Sequence, residues 1–526
     1  MRVSWLAVAC LAAACASAPI EPADQQDLAA ADALVRQGCY DCLRQANDIY
    51  TRVAVGKARR LVALRLFETN LLLALREKEI GLDPAASMAR ARAATDALPA
   101  VMDPDRYLAD VEAVPDRSAG MPHADQQAFV RAHRDFGRAV DAELAWIAAG
   151  PLTPVVATYL ELSLDCVYRP RPGLINGDAS PLETSITPDA APLLRYRAAT
   201  CTEIRGDALE RVRAEVPAFI ETSYFLGEVA VARLSLGGGS TARTLVNDVV
   251  TRFSDSPAVA YLDATFQQTV GNCARALAEY DAVLAARPHH EDAWLGRTVC
   301  LTYLGRTADA IDAATRMIDL QLDNRRDAFY WRATNRRTHH ALDLARADIE
   351  AARKLGPSVM VLTLAGIIEH DQDDLDPAER DLRAAEQRSG GALCVVSWYL
   401  GSVHARRERW REAGQTFEKA SGCYGREGDV RDRTLSSLEA DEALDAEYRR
   451  SQSASLRSQI AEDRSQEAVA ALNAANFLSA VGDFAHVDAL LETAAREADL
   501  AGDLATVRGL VADRRRAAAG RALVTQ

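Results

Sequence analysis

Apolar residues recur along this chain at helical rather than strand spacing. The stretch from Ala58 through Leu72 and Leu75 keeps a three-and-four rhythm, which predicts a helix. Gly81 closes it, and Asp83-Pro84 marks the next helix start. Between 258 and 424 the rhythm itself repeats. Gly271 to Gly305 and Ala276 to Ala310 are both steps of 34 residues. Alternation of apolar and polar residues at strand period is not sustained anywhere. The pattern predicts an all-α chain.

The periodic segment carries Gly271, Ala276, Tyr280 and Pro288, then Trp294, Gly305, Ala310 and Ala314. It continues with Phe329, Ala333, Ala345, Ile349, Ala352 and Pro357, then Leu362, Gly366, Ala378, Leu382 and Ala385. The clearest copy is Leu400-Gly401, Trp410, Ala413, Phe417 and Ala420. This resembles the tetratricopeptide repeat family, in which paired antiparallel helices stack. Small residues admit a neighbouring helix closely and aromatics fill the gap between pairs. The resemblance implies a right-handed α-solenoid over 258–424, with less regular helical hairpins before it. The expected organisation is a signal peptide over 1–14, an N-terminal helical region over 20–167 and an irregular Pro- and Gly-rich loop over 168–192. A degenerate repeat over 193–257 follows, then the repeats, then C-terminal helices over 425–526. Within the last segment Ala475, Gly482-Asp483-Phe484, Val487, Leu491 and Ala494 read as one more pair.

Charge narrows the function classes. The 526 residues carry a formal charge of −14, which disfavours nucleic acid, since phosphate binding needs a basic surface. The balance of 49% hydrophobic and 26% charged residues is that of a globular protein rather than a disordered or membrane-spanning one.

The N-terminus reads as an address. Met1-Arg2 gives a positive start, and Val3 to Ala14 is a nearly unbroken apolar run, too short for a stable bilayer span. Leu11-Ala12-Ala13-Ala14-Cys15 resembles a bacterial lipoprotein box, with its leucine one place early. The resemblance implies lipidation at Cys15 and a periplasmic or outer-membrane-attached protein. Cleavage after Ala18, an uncleaved anchor and lipidation at Cys10 are the alternatives.

Beyond Cys10 and Cys15, eight cysteines remain, an even number that suits disulfides in an oxidising compartment. Cys39 and Cys42 form a Cys-x-x-Cys pair. Leu43 stands where haem attachment needs histidine, and no second ligand pair lies nearby for zinc, so a local disulfide or two thiols remain. In the repeat geometry that the resemblance implies, Cys394 and Cys423 close one hairpin, Cys273 and Cys300 tie one repeat to the next, and Cys166 and Cys201 pin the ends of the irregular loop. The acidic string Asp371, Asp373, Asp374 and Asp376 lacks the glycine of a calcium loop and reads as a turn capping a helix that begins at Pro377. No phosphate loop, nucleophile elbow or zinc-protease motif is present, and no metal or cofactor is expected.

In the resembling family the first helix of each pair lines a concave groove. That implies a partner-binding surface of Leu295, Val299, Tyr330, Thr334, Thr363, Ile367, Trp398 and Ser402, unless these residues pack between helices. The lining suits an apolar segment of a protein partner. The expected function is non-enzymatic: an envelope-anchored scaffold holding a protein or peptide, within an assembly, secretion or transport complex. The competing reading is a solute- or glycan-handling lipoprotein of an uptake system, against which the 6% aromatic content argues.

Overall fold

The computed structural model describes residues 21–54, 59–115, 134–168, 190–201, 206–232, 239–441 and 446–524. Among these there is no strand, and no helix is long and apolar enough to cross a membrane. The expected signal peptide, lipidation at Cys15 and most of the irregular loop over 168–192 lie outside the described residues. The chain divides into two compact units. One comprises Met1–Phe266 with Ala285–Pro288, the other Gln267–Leu284 with His289–Gln526.

The first unit is built of α1 (Pro22–Gln37), α2 (Tyr40–Val53), α3 (Arg59–Glu79), α4 (Ala85–Ala94), α5 (Pro104–Ala113) and α6 (Arg134–Ala149). It continues through α7 (Pro154–Tyr168), α8 (Pro192–Cys201), α9 (Gly206–Glu215), α10 (Glu221–Ala232) and α11 (Gly239–Arg252), and into α12 (Pro257–Thr269). Gly38 turns the chain between α1 and α2. Its left-handed backbone, φ 75°, lets its N–H donate to the Leu34 carbonyl at 3.0 Å. The α3 helix is wrapped on nearly all sides, and its burial includes charge. Arg76 is completely buried, paired with Glu79 at 2.6 Å and Glu221 at 2.5 Å, and stacked 3.9 Å above the Tyr196 ring. Arg197 joins Glu79 at 3.1 Å, Tyr159 donates its hydroxyl to Glu79, and the Tyr40 N–H donates to Glu221. Two guanidiniums thus balance two carboxylates, which makes a dry charged core tolerable.

In the second unit, α13 (Cys273–Ala286) is followed by the pairs α14 (Glu291–Tyr303) with α15 (Thr307–Asp319), α16 (Arg325–Thr338) with α17 (Leu342–Leu355), α18 (Val359–Asp371) with α19 (Leu375–Ser389), and α20 (Cys394–Arg406) with α21 (Trp410–Ala440). Then come α22 (Ala446–Ala480), α23 (Val487–Ala494) and α24 (Ala501–Val524). A left-handed residue holds the turn before α13, Gly271, and the turn inside each pair, Gly305, His340, Asp373 and Glu408. Their spacings are 34, 35, 33 and 35 residues. The fully buried alanines Ala276, Ala310, Ala345, Ala378 and Ala413 keep the same spacings. The repeat exists because each second helix needs a small residue at that point of contact. First helices use the same device: a Cβ added at Gly366 would lie 2.6 Å from Leu382, and one at Gly401 would lie 3.0 Å from the Phe417 ring.

The α21 helix runs unbroken past 424 to Ala440 and packs against the still longer α22. The helix expected from Pro377 begins at Leu375. Asp374 stands at its N-cap without a side-chain cap bond and pairs instead with Arg346 at 3.0 Å. Toward the C-terminus Ala475, Val487, Leu491 and Ala494 share one buried cluster around the Gly482 turn.

Candidate functional site

The first helices of the repeats, α14, α16, α18 and α20, lie side by side, each touching the next. The turn spacings place the expected groove residues at two equivalent positions along these helices. Leu295, Tyr330, Thr363 and Trp398 share one, and Val299, Thr334, Ile367 and Ser402 share the other. The structure sets most of them to work within the protein. Val299, Thr363 and Ile367 are buried, so they present no surface to a partner. Leu295 packs on the cluster around Met317, Tyr330 on that around Ile349, and Trp398 meets the Phe417 ring edge-on at 5.4 Å. Thr334 donates its hydroxyl back to the Tyr330 carbonyl, and Ser402 is held 2.8 Å from His370 Nε2. The cause is packing against the second helix of the same pair and against neighbouring first helices, which together enclose these side chains.

The exposed apolar side chains lie about one turn along the helices from these positions. Tyr303 is 72% exposed and Met360 53%, both on first helices. Tyr303 meets Trp331 edge-on at 6.3 Å, and Trp331 meets Tyr330 at 5.4 Å, so three aromatics from two repeats adjoin. Sequence reasoning passed over Trp331 because one residue turns a helical side chain by roughly 100°, and over Tyr303 because it lies one full turn past Val299, beyond the expected groove positions.

Around this patch, polar side chains bind neighbouring first helices together. Asn335 donates to Thr302 at 2.8 Å, Arg337 pairs with Asp371 at 2.6 Å and donates to the Tyr399 hydroxyl at 3.0 Å, and Arg406 reaches Asp373 at 2.7 Å. Burial alone would raise the Asp371 carboxyl. Hydrogen bonds from His370 and Arg337 outweigh it and hold the group below its ordinary value. Arg337 is therefore already engaged.

Three disulfides are present among the described residues. Cys39–Cys42, Cys273–Cys300 and Cys394–Cys423 have Cα separations of 4.9, 5.0 and 5.4 Å. Cys39 is also the N-cap of α2. Cys273 opens α13 and Cys300 lies late in α14, so their bond ties one repeat to the next. Cys423 lies inside α21, not beyond its end, because that helix is longer than expected. The expected pairing of Cys166 with Cys201 falls on a side chain outside the described residues. Cys394, Cys423 and Glu427 offer three donor atoms within 4.8 Å, but the two sulfurs are spent on each other.

No family model matches the chain, and no curated protein matches it. Among solved structures it is similar to YrrB, described as a tetratricopeptide protein with an unusual peptide-binding site. The two are 18% identical over 34% of this chain and 91% of that one, with a TM-score of 0.29. A tetratricopeptide repeat protein from Parabacteroides merdae is 13% identical over 43% of this chain and 88% of that one, with a TM-score of 0.35. A chain of the APC/C hetero-tetramer Cut9-Hcn1 is 13% identical over 93% of this chain and 99% of that one, again with a TM-score of 0.35. Among the described residues the fold is all-α, and the second unit stacks tetratricopeptide-like hairpins at a period of 33 to 35 residues.

Proposed function

We propose that this chain is a scaffold that holds a protein partner against the first-helix face of its repeats and catalyses no reaction of its own. The observation that carries the reading is the exposed Tyr303 ring beside half-buried Trp331, with Met360 exposed on another first helix, all on helices fixed to their neighbours by side-chain bonds. Rigid aromatic anchors supply much of the binding energy in protein interfaces at little entropic cost, which suits an apolar segment of a partner. The reading includes export and a lipid at Cys15, within an envelope assembly, secretion or transport complex. The three disulfides support an oxidising compartment, because such bonds are kept reduced in most cytosols.

The test is affinity purification from gently solubilised membranes, comparing the wild-type chain with Tyr303→Ala/Met360→Ser. One protein recovered with the wild type and lost with the variant, at unchanged melting, is the expected result. A small molecule retained by both chains, with no protein, would replace the scaffold reading by solute handling.

A further inference from the structure

A cavity of about 260 Å³ lies in the first unit between α2, α3 and α4. Its polar lining is Asn47, Thr51, Asn70, Arg59 and Arg90, its walls are alanines and Leu66, and no carboxylate lines it among the described residues. That is unusual in a chain with a formal charge of −14. Asn47 and Asn70 are 7% and 1% exposed, so these amides are built into the helices rather than laid on them.

A relay of hydrogen bonds fixes which way both amides point. Arg90 Nε can only donate, and it donates to Asn70 Oδ1 at 2.8 Å. The Leu66 carbonyl can only accept, and it accepts from Asn70 Nδ2 at 2.7 Å. Asn70 is therefore locked, and its Nδ2 also donates to Asn47 Oδ1 at 2.8 Å. That leaves the Asn47 amide donor facing the cavity. Among the described residues nothing accepts from it, from Arg90 Nη1 or from the Arg59 guanidinium. These donors border one cavity beside alanine walls, together with the Thr51 hydroxyl, which donates to the Asn47 carbonyl.

We propose that this cavity binds a carboxylate carried on a short apolar chain. A planar amide and guanidinium forks match a planar anion, and the alanine walls take the attached carbons. The carboxylate could come from a free short-chain acid or from the C-terminus of a peptide. The site is separate from the repeat face, so the two proposals fail independently.

Isothermal titration calorimetry of the full chain, with disulfides intact, tests it. The probes are butyrate, butyramide, inorganic phosphate, and acetyl-Ala-Ala as the free acid and as the amide. Butyrate or the free-acid dipeptide should bind with a dissociation constant below about 1 mM, and the tighter of the two identifies the source. Asn47→Asp keeps the acceptor for Asn70 but turns the free donor into an anion, and should weaken binding at least tenfold. Arg59→Gln changes an exposed side chain without a partner among the described residues, so it should leave folding alone, and it should weaken binding about threefold. Equal binding of butyramide, tighter binding of phosphate, no binding by either carboxylate, or unchanged affinity in Arg59→Gln would each overturn the proposal.

Discussion

Replacing Arg76 by methionine keeps most of the side-chain volume while removing the charge at the centre of the first unit. Arg76 is fully buried, and its partners Glu79 and Glu221 are nearly so. Glu79 would keep Arg197 and the Tyr159 hydroxyl, whereas Glu221 would keep only the Tyr40 N–H. The loss therefore falls on one orphaned carboxylate. Breaking a buried pair in this way costs about 3–5 kcal/mol, and the lower end applies because Glu79 stays paired. Hydrogen exchange read by mass spectrometry, on peptides covering 59–79 and 221–232, measures it locally. A loss of roughly 3 kcal/mol raises the open population about a hundredfold. Adding Glu221→Gln should recover more than about 1 kcal/mol, since it removes the stranded charge. Exchange within threefold of wild type in Arg76→Met, or strict additivity in the double variant, would refute the buried-charge argument.

Stability should also respond to pH at Glu68. Burial pushes its carboxyl up to about 7, against the opposing hydrogen bond from the Thr153 N–H. Folded Glu68 thus keeps its proton between about pH 4.5 and 7, where the unfolded chain has lost it, so stability falls as pH rises through that window and levels off above it. Glu68→Gln, which keeps the acceptor for Thr153, should flatten this fall in urea titrations; an unchanged pH slope would contradict the assignment. Removing Cys394–Cys423, which spans 29 residues, should cost about 3.5 kcal/mol on the chain-entropy argument, and removing Cys39–Cys42, which spans 3, about 2 kcal/mol. Equal losses from the two Cys→Ala pairs would count against it. Gly366→Ala should cost about 1–3 kcal/mol by forcing Leu382 aside, whereas Gly422→Ala, which meets only the end of Arg426, should be neutral or stabilising. Matching melting temperatures for the two would show that the small-residue contact is not tight.

The period of the second unit was legible because packing enforces it. Ala276, Ala310, Ala345, Ala378 and Ala413 are small for one shared reason, and a fixed spacing survives in the sequence. The turns were less legible. Glycine holds the left-handed position at 271 and 305, but His340, Asp373 and Glu408 hold it in the next three repeats despite the cost to a residue with a Cβ. Which of the expected groove residues stay open was not legible, because family positions do not say which side chains neighbouring helices will enclose. Nothing in the order of residues joins Arg76 to Glu221 or Tyr196, which are brought together only by tertiary packing. Asn47 and Asn70 read as ordinary helical polar residues until the relay through Arg90 is seen.

Site-specific photocrosslinking in cells tests the central claim, that the first-helix face of the repeats holds a protein. A photoreactive phenylalanine at 303 replaces an exposed ring on that face, and one at 430 replaces Val430, which is comparably open on α21. The expected result is one discrete protein adduct from position 303 and none from 430. Adducts of equal yield from both positions, or from 430 alone, would contradict it.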